Sequence, residues 1–201
     1  MEILLFKFFT EKRMIKSGIA ALMGLLLLTT PCFAGSDCQN WPKWFQKICI
    51  RAKQIIYEGD NALVVSGYAW HNRSYYSKEK IKTYNEEAWG GGFGRGFYDE
   101  DHDWHGYFGF AFLDSHKNLE PTVGYGFLKI FEMGRSPFEI GLGFSALITA
   151  RPDINKGIPF PGALPLISFG TKKVTAYATY IPGSRGVGNV LFIFGKISFE
   201  S

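Results

Sequence analysis

Four histidines stand in this chain, and a histidine brought beside an aspartate and a serine is a set of residue types that can do acid–base or nucleophilic chemistry. His71 sits in "YAWHNR" (Tyr68–Arg73), and further on Asp114 and Ser115 are adjacent in "FLDS" (Phe112–Ser115). Chemistry on such a set needs a base for a proton and a group that holds a developing negative charge. An imidazole has the pKa for the first task. An aspartate can orient that imidazole, and a serine can donate to the oxyanion or act as nucleophile. The order of such residues along a chain is no guide, because these sets are defined by geometry. Taken singly, each is more often an ordinary polar group at the end of a strand.

Two other groupings carry less. Asp99, Glu100, Asp101, His102, Asp103 and His105 crowd one short stretch, but their spacing matches no metal-ligand motif; the stretch reads as an acidic turn. The run Gly90–Gly94 lacks the following Lys-Ser/Thr and helix of a phosphate loop, and reads as a narrow interior or a bulge.

The elements that must position these residues are β-strands. The chain has 201 residues, 46% of them apolar and 20% charged, so it is long enough for one sizeable ordered domain. Its 24 glycines and 17% aromatics fit β structure with crowded interior faces better than a helical domain. A net charge of +4 without any Lys/Arg cluster argues against a nucleic-acid partner. The front end reads as a secretory signal over residues 1–34: basic Lys7, Lys12, Arg13 and Lys16, the apolar run Gly18–Leu28, then small residues up to Ala34. A segment over residues 35–58 follows, and then the strand-rich part, residues 59–201.

From Trp41 to Ile56 the residues Trp41, Trp44, Phe45, Ile48, Ala52 and Ile55 recur at helical spacing, with Asn40 as the expected cap. Lys43, Lys47 and Arg51 form a basic row. The pattern suits a helix at a membrane surface, or one packed on its own domain. If a single helix held both Cys38 and Cys49, they would lie roughly 16 Å apart. Two free thiols is then the plain reading, with a disulfide open if Cys38 precedes the helix.

After Glu58 the period changes to two. Phe138, Ile140, Leu142, Phe144, Ala146 and Ile148 point one way; Glu139, Gly141, Gly143, Ser145, Leu147 and Thr149 point the other. A soluble sandwich would bury the large face, whereas a membrane barrel would turn it to lipid. Comparable strands are expected over Asn61–Arg73, Ala88–Tyr98, Asp103–Asp114, Thr122–Phe131, Pro137–Ala150, Leu164–Gly170, Lys173–Ile181 and Gly188–Phe199. Several are close to the ~9–11 residues that a tilted membrane strand needs. No helix-length pattern separates them, so the sheet is antiparallel.

In order along the chain come "YAWHNR", "YNEEAWGGGFG", "DWHG", "FLDS", "EPTVGYG", "LGFSALITAR", "LPLISFG" and "TYIPG". This series resembles the lipid A palmitoyltransferase family (PagP type) of the Gram-negative outer membrane. The resemblance implies an eight-stranded antiparallel transmembrane β-barrel preceded by an N-terminal amphipathic helix. It implies an enzyme that moves a palmitoyl chain from the sn-1 position of a phospholipid donor to a hydroxyacyl chain of lipid A, with no metal or cofactor. Such a change tightens the outer leaflet and raises resistance to cationic antimicrobial peptides. A monomer in the outer membrane is expected.

By the same resemblance the catalytic positions fall on His71, Asp114 and Ser115. Gly126 falls on the position that gauges acyl-chain length. Pro165 and Pro182 fall on a pair that opens a lateral gap in the barrel wall, while Ser66 and Ala88 stand where a second proline pair would be. His105 matches a position taken to lie near the outer rim, with a secondary role in substrate binding left open. The alternative class is a non-enzymatic small barrel with a structural, adhesive or lipid-binding role. Direct transfer and an acyl-enzyme are both open.

Overall fold

The computed structural model describes residues 38–184 and 188–199. The expected signal, residues 1–34, lies outside them. Eight strands form a closed antiparallel barrel in which each pairs with its chain neighbours and β1 pairs with β8. They are β1 (Asp60–His71), β2 (Gly90–Tyr98), β3 (Trp104–Leu113), β4 (Leu119–Glu132), β5 (Glu139–Thr149), β6 (Phe160–Gly170), β7 (Val174–Ile181) and β8 (Val190–Phe199). Strands β4 and β6 begin earlier than the alternation alone suggested, at Leu119 and Phe160, and β1 stops two residues sooner, at His71.

The alternation points outward. Along β5, Ile140, Leu142 and Phe144 are exposed while Glu139, Ser145 and Thr149 are buried. Leu63, Phe93, Ile167 and Ile193 extend the exposed apolar band around the wall. A sandwich core would need that face covered, so the face is one for lipid. No described helix is long and apolar enough to cross a membrane.

The interior is filled in two tiers. Val64, Phe110, Phe112 and Phe192 form the upper cluster, and Trp104, Leu128, Leu166 and Tyr177 the lower one. The narrow bore explains the glycine run: Gly90, Gly92 and Gly94 stand in register with Phe112, Phe110 and Phe108. A Cβ at Gly90 or Gly92 would run into the backbone of β3 at the Ala111 and Gly109 carbonyls, and one at Gly94 would press on the Tyr107 carbonyl at 3.0 Å. The wall's bulge lies elsewhere, between Ser66 and Tyr68 of β1.

Helix α1 (Lys43–Glu58) begins two residues later than its apolar spacing suggested. Pro42 takes the N-cap position without a side-chain bond, and Asn40, the expected cap, closes a 3-10 turn over Cys38–Asn40. That turn folds Cys38 back beside the helix. The Cα atoms of Cys38 and Cys49 are 5.7 Å apart and the pair forms a disulfide, which corrects the reading of two free thiols. Cys49, Ala52 and Ile55 are buried, whereas Ile48, Ile50 and Tyr57 are exposed. The helix thus packs on its domain with one stripe and keeps apolar side chains on another. Arg51, the last of the basic row, reaches Asp99 Oδ2 at 2.8 Å and Glu100 Oε2 at 2.9 Å in the β2–β3 turn. Arg95 Nε donates to the Ile55 carbonyl at 3.1 Å, satisfying one of the open carbonyls at the helix end.

Replacing Arg51 by alanine leaves the nearly buried Asp99 without its charged partner, a loss of about 1.5–3 kcal/mol for a hydrogen bond to a charged group. Amide exchange across residues 43–58 in detergent micelles is expected to accelerate while the barrel amides keep their protection. Equal protection in variant and parent would show that the disulfide and the apolar stripe hold the helix unaided.

Candidate functional site

Strands β1 and β3 flank β2 and run in the same direction, so their C-terminal ends reach the same rim of the barrel. β1 ends on His71, and β3 ends on Leu113, just before Asp114 and Ser115. The connection from β1 to β2 contains a short helix, α2 (Lys78–Lys82), that period-two reading did not predict. Its tail stitches the two strand ends together. Ala69 N–H donates to the Glu86 carbonyl at 2.9 Å, Asn85 N–H to the Ser115 carbonyl at 2.8 Å, and Leu113 N–H to the Trp89 carbonyl at 3.0 Å.

The result is a hydrogen bond of 2.8 Å between His71 Nε2 and Ser115 Oγ. His71 is 1% exposed, its ring stacked on Tyr84 at 4.8 Å and met edge-on by Tyr76 at 5.4 Å. Its other nitrogen, Nδ1, lies 3.2 Å from Glu86 Oε1, which also accepts the His71 backbone N–H at 2.9 Å. Arg73 grips the same carboxylate with two bonds of 2.6 Å. Those bonds, more than any other contact, pull the Glu86 carboxyl down to about 2.

Asp114 does not orient His71, contrary to the expectation from sequence. Its Oδ1 accepts the backbone N–H groups of His116 at 2.8 Å and Asn118 at 2.7 Å, so the carboxylate is turned onto the β3–β4 turn that carries Ser115. Its Oδ2 makes no hydrogen bond among the described residues and has Arg151 Nη2 3.6 Å away. The carboxylate at Nδ1 is Glu86, to which the sequence reading gave no role. The signal was present but weak: Glu86 lies within "YNEEAWGGGFG", and nothing in the spacing separates it from Glu87.

His105 does not lie at this rim. It is the second residue of β3, so roughly 30 Å of strand separates it from Asp114. It sits on the outer face near α1, with Nε2 3.0 Å from Asp99 Oδ2 and Nδ1 2.7 Å from the Tyr125 hydroxyl. Gly126 faces the bore at the level of Gly106. A Cβ there would come within 3.1 Å of the Trp104 ring and 3.6 Å of Leu166. Gly126 therefore lies against the lower cluster, beneath the phenylalanine tier. Pro165 and Pro182 flank the place where the wall stops pairing. The β6–β7 ladder holds five pairs, from Gly170↔Thr175 to Leu166↔Thr179, and goes no further toward the rim. The β1–β2 ladder likewise ends at Ser66↔Gly90, where Ser66 Oγ donates to the Ala88 carbonyl at 2.8 Å.

The turn-holding contacts of Asp114 give an outcome independent of any activity. Asp114→Ala removes two charge-assisted bonds, and the His116 and Asn118 amides are expected to exchange faster by tenfold or more, since each such bond contributes about 1.5–3 kcal/mol. Amide exchange by NMR in micelles checks it, and unchanged protection at both amides would remove this role from Asp114.

Comparison with known proteins adds an independent line. The family described as antimicrobial peptide resistance and lipid A acylation protein PagP matches residues 51–196. A protein of Bordetella parapertussis named lipid A acyltransferase PagP is 50% identical over 177 residues, covering 88% of this chain and 96% of that one. Relatives of the same name from Legionella longbeachae and Legionella pneumophila are 53% and 50% identical. They match 81% of this chain and 71% and 87% of their own lengths. Among solved structures, Neisserial surface protein A aligns with 70% of this chain at 16% identity and a TM-score of 0.35. On the match across most of its length, the chain belongs to the PagP family of antimicrobial peptide resistance and lipid A acylation proteins.

Proposed function

We propose that this protein is a monomeric outer-membrane enzyme that transfers a palmitoyl chain from the sn-1 position of a phospholipid to a hydroxyacyl chain of lipid A, using His71 and Ser115. Family membership supports lipid A acylation and peptide resistance as the general role. The observation that carries the site is the 2.8 Å contact between His71 Nε2 and Ser115 Oγ at the rim. A nucleophile bonded to a base that is itself held by a third group is the arrangement of an activated nucleophile. It favours an acyl-enzyme over direct transfer. Nε2 takes the Ser115 proton as Oγ attacks the sn-1 carbonyl. The bond from that carbonyl to glycerol then breaks, and the glycerol oxygen leaves with the proton from His71. The lipid A hydroxyl next attacks the Ser115 ester; its proton passes through Nε2 to the released Oγ. In this scheme Asp114 keeps Ser115 on its turn, Gly126 bounds the space for the acyl chain, and lipids pass the wall where Pro165 and Pro182 flank unpaired backbone.

Mass spectrometry of lipid A from a heterologous outer membrane tests the reading. The parent is expected to add one palmitoyl unit. His71→Ala and Ser115→Ala lower the yield by about 10²–10⁴-fold, and Asp114→Ala removes most of it, with the barrel folded in each case. Folded parent barrel with unmodified lipid A would instead favour a non-enzymatic barrel.

The chain gauge is tested separately. A methionine at Gly126 fills bore space beside Trp104 and Leu166, and each excluded methylene forfeits about 0.8 kcal/mol of apolar burial. Gly126→Met is therefore expected to shift the added mass from a sixteen-carbon chain to shorter ones when mixed phospholipids are supplied, with Gly126→Ala intermediate. A folded Gly126→Met protein that still selects palmitate would place the chain's end elsewhere.

A further inference from the structure

We infer that Glu86, clamped by Arg73, is the positioning residue of this site: it holds His71 with the ring proton on Nδ1, leaving Nε2 as the basic nitrogen toward Ser115. The inference rests on the proposed reading of His71 as the base.

The ring has two nitrogens, and a neutral imidazole carries its proton on one of them. Glu86 Oε1 lies 3.2 Å from Nδ1. Held deprotonated by Arg73, it can only accept at that position, so a proton on Nδ1 is bonded and a lone pair there is repelled. Ser115 Oγ at 2.8 Å from Nε2 can donate as well as accept, so it follows the tautomer that Glu86 selects.

The carboxylate is itself immobilised. Oε1 accepts the His71 backbone N–H at 2.9 Å and Arg73 Nη1 at 2.6 Å, and Oε2 accepts Arg73 Nη2 at 2.6 Å. Arg73 Nη1 also donates to the His71 carbonyl at 3.0 Å. The pair therefore brackets both the backbone and the ring of one residue. A clamp serving only the loop would have no need of the ring nitrogen. Asp114, which the sequence favoured for this role, spends its bonded oxygen on the amides of His116 and Asn118. Stacking on Tyr84 and the edge contact of Tyr76 set the plane of the imidazole but cannot choose between its nitrogens.

The test uses the full chain in detergent micelles and reads His71 by nitrogen-15 NMR of the imidazole. The parent is expected to show a protonated Nδ1 and an unprotonated Nε2 near neutral pH, and Glu86→Ala to lose that preference. In acyl transfer, Glu86→Ala is expected to lower kcat by at least about tenfold, below the ~10⁴-fold seen when a triad carboxylate is lost, with KM for both lipids unchanged. In a His71→Ala background the same substitution costs nothing further, because Glu86 acts through the ring. Arg73→Met leaves the carboxylate in place but looser, and gives a smaller loss of kcat in the same direction. If Glu86→Ala fails to fold, Arg73→Met carries the NMR and kinetic readings. An unchanged tautomer in the folded variant, or a full kcat loss persisting without His71, overturns the assignment. Should the parent acylate no lipid A, the proposed function fails while the tautomer measurement still decides what Glu86 does to the ring.

Discussion

A backbone N–H or C=O facing hydrocarbon has no water to bond, and each one left unpaired there costs several kcal/mol. Pairing β1 with β8 removes both edges of the sheet, and most of the architecture follows from that closure. A closed wall has one lipid face and one bore, so side chains must alternate between them. With eight strands the bore is narrow, and β2 lies so close to the backbone of β3 that Gly90 and Gly92 have no room for a Cβ. Regular wall leaves little freedom to gather reactive groups. The groups gather instead where the ladder ends, on the connection that ties His71 to Ser115.

The same device appears at both ends of the barrel, with different terminations. At the helix end, Asp99 lies between Arg51 at 2.8 Å and His105 at 3.0 Å. At the rim, Glu86 lies between Arg73 at 2.6 Å and His71 at 3.2 Å. In each, an arginine fixes a carboxylate and the carboxylate meets an imidazole, an arrangement of charge-assisted bonds that resists rotation. The second nitrogen separates them. His105 spends it on the phenol of Tyr125, in the wall, whereas His71 spends it on a primary hydroxyl at an open end. The first arrangement docks a helix; the second is the one to which the proposed function gives proton transfer.

The strands were legible because a barrel wall enforces period two, broken here by the bulge between Ser66 and Tyr68. β5 shows this most plainly, with Ile140, Leu142, Phe144 and Ile148 on one parity and Glu139, Gly141, Gly143, Ser145 and Thr149 on the other. The helix start was less legible, because apolar spacing continues back to Trp41 while the chain has already turned at Cys38–Asn40. That same turn hid the disulfide, since separation along a helix says nothing about a chain that folds back before it. The place of His105 was legible in the alternation but not in the motif: the expected strand Asp103–Asp114 sets His105 near its start and Asp114 at its end, whereas the motif match carries no such information. The role of Asp114 was the hardest to read. Adjacency to Ser115 suggests partnership in the reaction, but a carboxylate one residue before a serine is also well placed to hold the backbone of their shared turn, and its hydrogen bonds go there.

The two places where wall pairing stops differ in what opening them costs. At β6–β7 the ladder ends beside Pro165, which has no N–H to offer, so separating the strands toward the rim breaks no ladder bond at that residue. Thr179 Oγ1, bonded to the Pro165 carbonyl at 2.7 Å, tethers the corner through a side chain. At β1–β2 the ladder ends at Ser66, whose hydroxyl bridges to the Ala88 carbonyl at 2.8 Å. Ser66 is 1% exposed, so opening the wall there gives up a buried bond, whose net contribution is about 1 kcal/mol and whose unmet partners cost more. Both breaks are thus spanned by a hydroxyl bonded to a carbonyl, Thr179 to Pro165 and Ser66 to Ala88. They differ in the backbone: Pro165 has no donor that could extend its ladder, whereas just past Ser66 the Ala69 N–H is taken up by the Glu86 carbonyl at 2.9 Å. Separating β1 from β2 there would therefore disturb the segment that holds His71.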